Sequence, residues 1–127
     1  MHTVCETAAF ERSAADAGMT PDEVARLTLH LSETPDAGKL LVGTGGARKL
    51  RFAKAGRGKS AGYRVVTYYC ADDIPVFLLH VFAKGDKINL SYAERVTMKK
   101  ELAMFAREYR ETMRDRVTEL KAKGEVS

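Results

Sequence analysis

Residues 43–64 read GTGGARKLRFAKAGRGKSAGYR, and how this stretch divides into strand and loop decides how the rest of the chain is arranged. It carries Arg48, Lys49, Arg51, Lys54, Arg57, Lys59 and Arg64, with no acidic residue among them. Those charges exceed the net +4 of the whole chain, so the basic surplus is local. Residues 49–52 suit a strand, whereas 53–62 is too polar and glycine-rich for a strand interior and reads as a loop. A strong strand follows over residues 63–70. Glycine lets backbone come close to a ligand, and the arginine fork matches phosphate oxygens, so the expected partner is a polyanion, RNA first.

Working outward, Val, Leu and Phe over residues 75–84 predict another strand, with Asp72 and Asp73 forming the turn before it. On the other side, residues 39–42 predict a fourth, short strand. Two helices precede it. The first spans residues 8–17, with Phe10, Ala14 and Ala17 on one side, and Gly18 ends it. The second has Thr20 as N-cap, Pro21 at its first position and Glu23 completing a capping box, then Val24, Leu27 and Leu31 at helical spacing to about residue 32. Residues 2–7 are an edge strand or an entry segment. Near the C-terminus, Ser91 and Glu94 form a second capping box. Met98, Leu102, Phe105, Tyr109, Met113, Val117 and Leu120 then recur every three or four residues. A helix over residues 91–120 is about 45 Å long, more than a small sheet covers, so the part beyond Tyr109 projects, frays or docks on a second chain. The fold class is α+β: two N-terminal helices packed on a small, mainly antiparallel four-stranded sheet, helices gathered on one face, and a long C-terminal helix.

A chain of 127 residues fits one domain, residues 1–127, with a core that needs no metal or disulfide. No apolar run reaches membrane-spanning length and the N-terminus lacks a signal pattern, so no membrane is involved. Cys5 and Cys70 stand far apart and read as two thiols of a reducing cytosol. Gly58-Lys59-Ser60 looks like the end of a P-loop. Ala53 stands where its first glycine belongs, however, and the segment leads into a strand, which argues against nucleotide hydrolysis. His2, His30 and His80 are scattered, and no nucleophile–histidine pairing has the right spacing. His80 lies in the apolar run VFLLHVF, where a satisfied buried imidazole is the default and catalysis the lesser reading.

The cations remain. Lys49 and Arg51 share a strand face; Arg64 begins the next strand and Lys84 ends the one after it. If those strands are neighbours, four positive groups converge. RNA cleavage needs little more: the 2′-hydroxyl attacks the adjacent phosphorus while cations stabilise the phosphorane. A lysine desolvated among other cations can act as the base. Tyr92 can orient or stack on the substrate; Ser91 reads as the helix cap.

The ordered motifs GTGG, RKLR, GRGK, GYRVV and AKGDK, spread over residues 43–87, resemble the RelE/ParE superfamily of toxins from type II toxin–antitoxin modules, most closely its RelE/HigB-like branch. The resemblance implies a fold related to microbial ribonucleases, ribosome-dependent cleavage of messenger RNA in the A site, and no cofactor or metal. By that likeness Lys49, Arg51, Arg64 and Lys84 match the family's basic catalytic positions; Tyr92 is read beside them as a further catalytic residue, and Arg48, Lys54, Arg57, Lys59 and Lys87 are read as gripping RNA. The implied partners are a cognate antitoxin with a helix-turn-helix (HigA-like), the ribosome and its message, and operator DNA through the antitoxin only; the sequence leaves open whether a second copy joins as a homodimer. The implied location is cytoplasmic. The sequence departs from the family pattern where a tyrosine is expected: a gap-free register places Ser91 there, with Tyr92 one residue on. The alternatives are a ParE-like toxin that binds DNA gyrase, against which the concentrated cations argue, and a catalytically inactive RNA-binding relative.

Overall fold

The computed structural model describes residues 1–53, 62–82 and 89–124. Its elements are β1 (Val4–Glu6), α1 (Ala8–Asp16), α2 (Pro21–Glu33), β2 (Lys39–Leu40), β3 (Ala47–Phe52), β4 (Tyr63–Tyr68), β5 (Val76–Phe82) and α3 (Tyr92–Ala122). Each helix begins on a side chain that satisfies its first free amides. Thr7 accepts from the Phe10 amide at 3.1 Å and so caps α1, a start the sequence reading had passed over. Both expected capping boxes form: Thr20 with Glu23 at 3.2 and 2.9 Å, and Ser91 with Glu94 at 3.1 Å each way.

The strands make one sheet in the order β1-β5-β4-β3-β2, antiparallel except for β1, which runs parallel to β5. The sheet therefore has five strands, not four. The extra one is β1, whose Val4, Cys5 and Glu6 pair with Val76, Phe77 and Leu78. Asp72 and Asp73 form the turn before β5, as expected.

The helices are not gathered on one face. On one side, Phe10 and Ala14 of α1 and Leu27 and Leu31 of α2 pack against Tyr63, Val65, Val76, Leu78 and Val81. On the other, Leu102 and Ala106 of α3 pack against Ala47, Val66, Tyr68 and Phe77. The Phe105 ring lies 4.4 Å from that of Phe77, centre to centre. The reason is the composition of β4 and β5, which are apolar on both sides, so both sides need cover. Leaving Val66, Tyr68 and Phe77 in water would forfeit roughly 1.5–3 kcal/mol for each large apolar side chain.

Two clamps hold α3. Arg95 in its first turn donates from Nη1 to the Val42 carbonyl at 2.6 Å, and Arg110 forms a two-pronged pair with Asp73 at 2.7 and 2.8 Å. Residues 111–119 are all exposed, so the helix projects about 18 Å past Arg110.

Candidate nucleic-acid interface

β3 alternates strictly. Leu50 and Phe52 turn toward α1 and α2, while Ala47 turns toward α3 and takes Lys49 and Arg51 with it. Register carries the pattern across the sheet. Arg51 is directly opposite Arg64, which is opposite Phe82; Lys49 is opposite Val66, which is opposite His80; Lys39 is opposite Lys49. Lys39, Lys49, Arg51 and Arg64 thus share the α3 side of the sheet. Neighbouring strands lie about 5 Å apart and successive same-face residues about 7 Å apart, which makes the patch small and dense. Lys49 and Arg51 are exposed. Arg64 is half-buried and donates from Nη1 to the Gly62 carbonyl at 3.5 Å. Like charges directly across a ladder repel, and a polyanion laid over them turns that repulsion into affinity.

Gly62 closes the mouth of this hairpin. A Cβ there would collide with the Phe52 carbonyl, so any side chain would push β3 and β4 apart where Arg51 meets Arg64. The Gly43-Thr44-Gly45-Gly46 turn is structural. The buried Thr44 hydroxyl donates to the Leu41 carbonyl at 2.6 Å and accepts from the Ala47 amide at 3.1 Å. The turn supports the start of α3, where Gly43 lies against Arg95.

His80 lies in β5 as expected, on a face the sequence reading did not assign. Strict alternation from the buried Leu78 would send it under α1 and α2. The β4–β5 register instead shifts between Val66 and Thr67, which face His80 and Leu78, and leaves Leu79 as an extra residue. This bulge turns His80 to the cationic side. There it is half-buried, with its ring 4.4 Å from that of Phe82. An unbroken apolar run carries no sign of a bulge, so nothing in the sequence marked the change.

The remaining expected residues divide. Tyr92 is the first residue of α3, is 84% exposed, and lines a groove with Lys49. Arg48 goes the other way, to the α1/α2 side, opposite Thr67. Among the described residues its Nε is buried without a hydrogen-bond partner, as is the Thr67 hydroxyl, and it stands apart from the cationic patch. Lys54, Arg57, Lys59, Lys84 and Lys87 lie outside the described residues. β3, β4 and β5 are nonetheless neighbours, the arrangement on which convergence with Lys84 depends. β4 follows the Gly58-Lys59-Ser60 segment as a strand, the wrong element for a P-loop. Among the described residues, no three His, Cys, Asp or Glu come together as metal ligands would, and no helix is long and apolar enough to cross a membrane.

Fold and face together define a small α+β protein with an open, cationic sheet surface. The family model described as the RelE toxin of the RelE/RelB toxin–antitoxin system matches residues 3–127, and the chain belongs to that family. It is therefore a toxin of a toxin–antitoxin system, with a cognate antitoxin as its partner.

Proposed function

We propose that this toxin is an endoribonuclease that cuts messenger RNA in the ribosomal A site and so stops translation. The observation that carries this reading is the Arg51–Arg64 rung, flanked on the same face by Lys49 and His80, in a chain of the RelE toxin family. The 2′-oxygen attacks the adjacent phosphorus as the P–O5′ bond breaks, leaving a 2′,3′-cyclic phosphate and a 5′-hydroxyl. Arg51, Arg64 and Lys49 stabilise the charge that builds on the phosphorane. The His80 imidazole takes the 2′-hydroxyl proton or gives one to the leaving oxygen. Lys84 and Tyr92 complete the catalytic set. Lys54, Arg57, Lys59 and Lys87 hold the RNA backbone.

The openness of the face supports ribosome dependence: a bound, oriented message supplies the alignment that an exposed site does not. The antitoxin is a helix-turn-helix protein that also carries the operator DNA contact. Translating ribosomes with bound message, treated with wild type or Arg64→Ala, test the reading. Cuts that map within the A-site codon and vanish in the variant are expected. Intact message alongside stalled gyrase cleavage complexes would move the assignment to a ParE-like toxin. Efficient cutting of naked RNA would remove the ribosome from the mechanism.

A further inference from the structure

The glycine turn that supports α3 has donors to spare. The Thr44 amide donates to the Leu41 carbonyl at 3.2 Å, and the Ala47 amide donates to the Thr44 hydroxyl at 3.1 Å. The amides of Gly43, Gly45 and Gly46 meet no acceptor among the described residues. Gly43 and Gly45 are exposed, so a solute reaches them. φ is +84° at Gly43, negative at Thr44 and +75° at Gly45. Backbone that alternates between the two hands gathers successive amides into an anion-binding hollow.

Two cations of α3 stand against the same turn. A Cβ on Gly45 would lie 3.4 Å from Cγ and 4.0 Å from Cε of Lys99; one on Gly43 would lie 3.8 Å from Cβ and 3.9 Å from Cδ of Arg95. Lys99 therefore runs along the turn, and its ammonium, one bond beyond Cε, ends beside it. Arg95 and Lys99 are four residues apart on the helix, a spacing at which like charges repel. Their other neighbours at helical contact spacing are Ser91, Tyr92 and Met98 for Arg95, and Val96, Leu102 and Ala103 for Lys99. None is acidic, whereas Arg110 has Asp73 and Lys123 has Glu119. Arg95 donates from Nη1 and Nε to the Val42 and Leu90 carbonyls, which leaves Nη2 over.

We infer that the Gly43–Gly46 turn, with Lys99 and Arg95, is a phosphate-binding site. Backbone amides, an ammonium and a guanidinium edge are all donors, and two of them carry charge. A tetrahedral oxyanion with three or more acceptor oxygens uses such a set, while a planar carboxylate leaves part of it idle. The anion also relieves the repulsion between Arg95 and Lys99. Ala47, beside the turn, is four residues or about 13 Å along β3 from Arg51, so this phosphate is not the one at the Arg51–Arg64 rung. The site stands whether or not the cationic face cuts RNA. Free phosphate and the backbone phosphate of a nucleic acid present the same oxygens, and the experiment separates them.

The test is titration of isotope-labelled protein with sodium phosphate, at an ionic strength held constant with sodium chloride, followed by amide NMR. The amides of Gly43, Gly45 and Gly46 should shift together along one saturable curve. Lys99→Gln should weaken that curve about tenfold, the loss of one charge-assisted hydrogen bond, with the rest of the spectrum in place. Lys100→Gln removes the same charge from the next residue of α3, which is also exposed, and should bind as wild type does. Equal losses in the two variants, or shifts that grow without saturating, show a diffuse ion atmosphere and overturn the site. A Lys99→Gln protein that binds phosphate as tightly as wild type overturns it too. A single-stranded RNA pentanucleotide, 2′-O-methylated so that it cannot be cut, then identifies the source. Movement of the same three amides, in competition with phosphate, assigns the site to a nucleic-acid backbone. RNA shifts confined to β3 and β4, with the turn still answering to phosphate, assign it to the free ion.

Discussion

The two faces of this sheet are made by the same strands and do opposite work. Under α1 and α2 the surface is sealed: Phe10, Leu27, Leu31, Val65, Val76 and Leu78 have no solvent exposure. The polar groups trapped there are mostly satisfied. The Ser13 hydroxyl accepts from the Val81 amide and donates to the Phe10 carbonyl, each at 3.0 Å, and Glu23 accepts from the Thr20 amide and the Tyr63 hydroxyl, each at 2.9 Å. On the α3 side, cover extends over Ala47, Tyr68 and Phe77 and stops short of Lys49 and Arg51. Because side chains alternate along a strand, neighbouring residues of β3 and β4 belong separately to the sealed core and to the cationic face. One face can be changed with little consequence for the other.

The strongest way to break that separation is in the sealed core. Phe10→Ala should cost about 3–5 kcal/mol of stability in urea titrations, while the fraction still folded cleaves at the wild-type rate. A folded Phe10→Ala protein with a crippled rate would show that the faces are coupled. Next in size, Arg51→Ala and Arg64→Ala should each slow cleavage about 100-fold or more and relieve growth inhibition, with circular dichroism and melting temperature close to wild type. A soluble, folded variant that stays fully toxic removes that arginine from the site.

Tyr63→Phe gives a smaller effect, confined to the sealed face. Burial first, then the bond to Glu23, pushes the Tyr63 hydroxyl from 10.0 up to about 12. Since its folded value is raised, the stability it contributes is intact below pH 10 and drains away as pH climbs toward 12. The variant should lose about 1 kcal/mol at neutral pH and show a flatter alkaline decline than wild type. Identical alkaline melting curves would refute this role. Smallest of all is Asp73→Asn. The Arg110 guanidinium holds the Asp73 carboxyl below its ordinary range, so the clamp persists above that range and is lost as pH falls through the lowered value. Both groups are exposed, and the melting temperature should not move. Faster amide exchange in residues 111–122 is the expected sign; unchanged exchange there would show that Arg110 does not restrain the extension.

The sequence made the local chemistry readable and the layering less so. Thr20 with Glu23, and Ser91 with Glu94, announce helix starts because capping is settled within four residues. β3, β4 and β5 announce themselves through their Val, Leu, Phe and Tyr content. Which helix covers which face is settled by contacts between distant residues. The available clue was that VFLLHVF fails to alternate, as a strand covered on both sides does. β1 is three residues long; its sequence left edge strand and entry segment both open, and its parallel pairing with β5 decides between them. In the candidate site, a two-residue spacing brought Lys49 and Arg51 together, and the same parity separates Arg48 from them. His80 depended on one extra residue in β5, and Lys39 on a register that no local pattern records.

The two like-charged rungs also set how the molecule answers to ionic strength. Without RNA, Arg51 faces Arg64 and Lys39 faces Lys49, and added salt screens both repulsions. On the proposed function, RNA bound to those same cations gives up counterions from its phosphates, and added salt should weaken the complex. Folding and binding should therefore respond to potassium chloride with opposite signs, the melting temperature rising as affinity falls. In dilute buffer the cationic face strains the free toxin most, and on the proposed function it should hold nucleic acid hardest there.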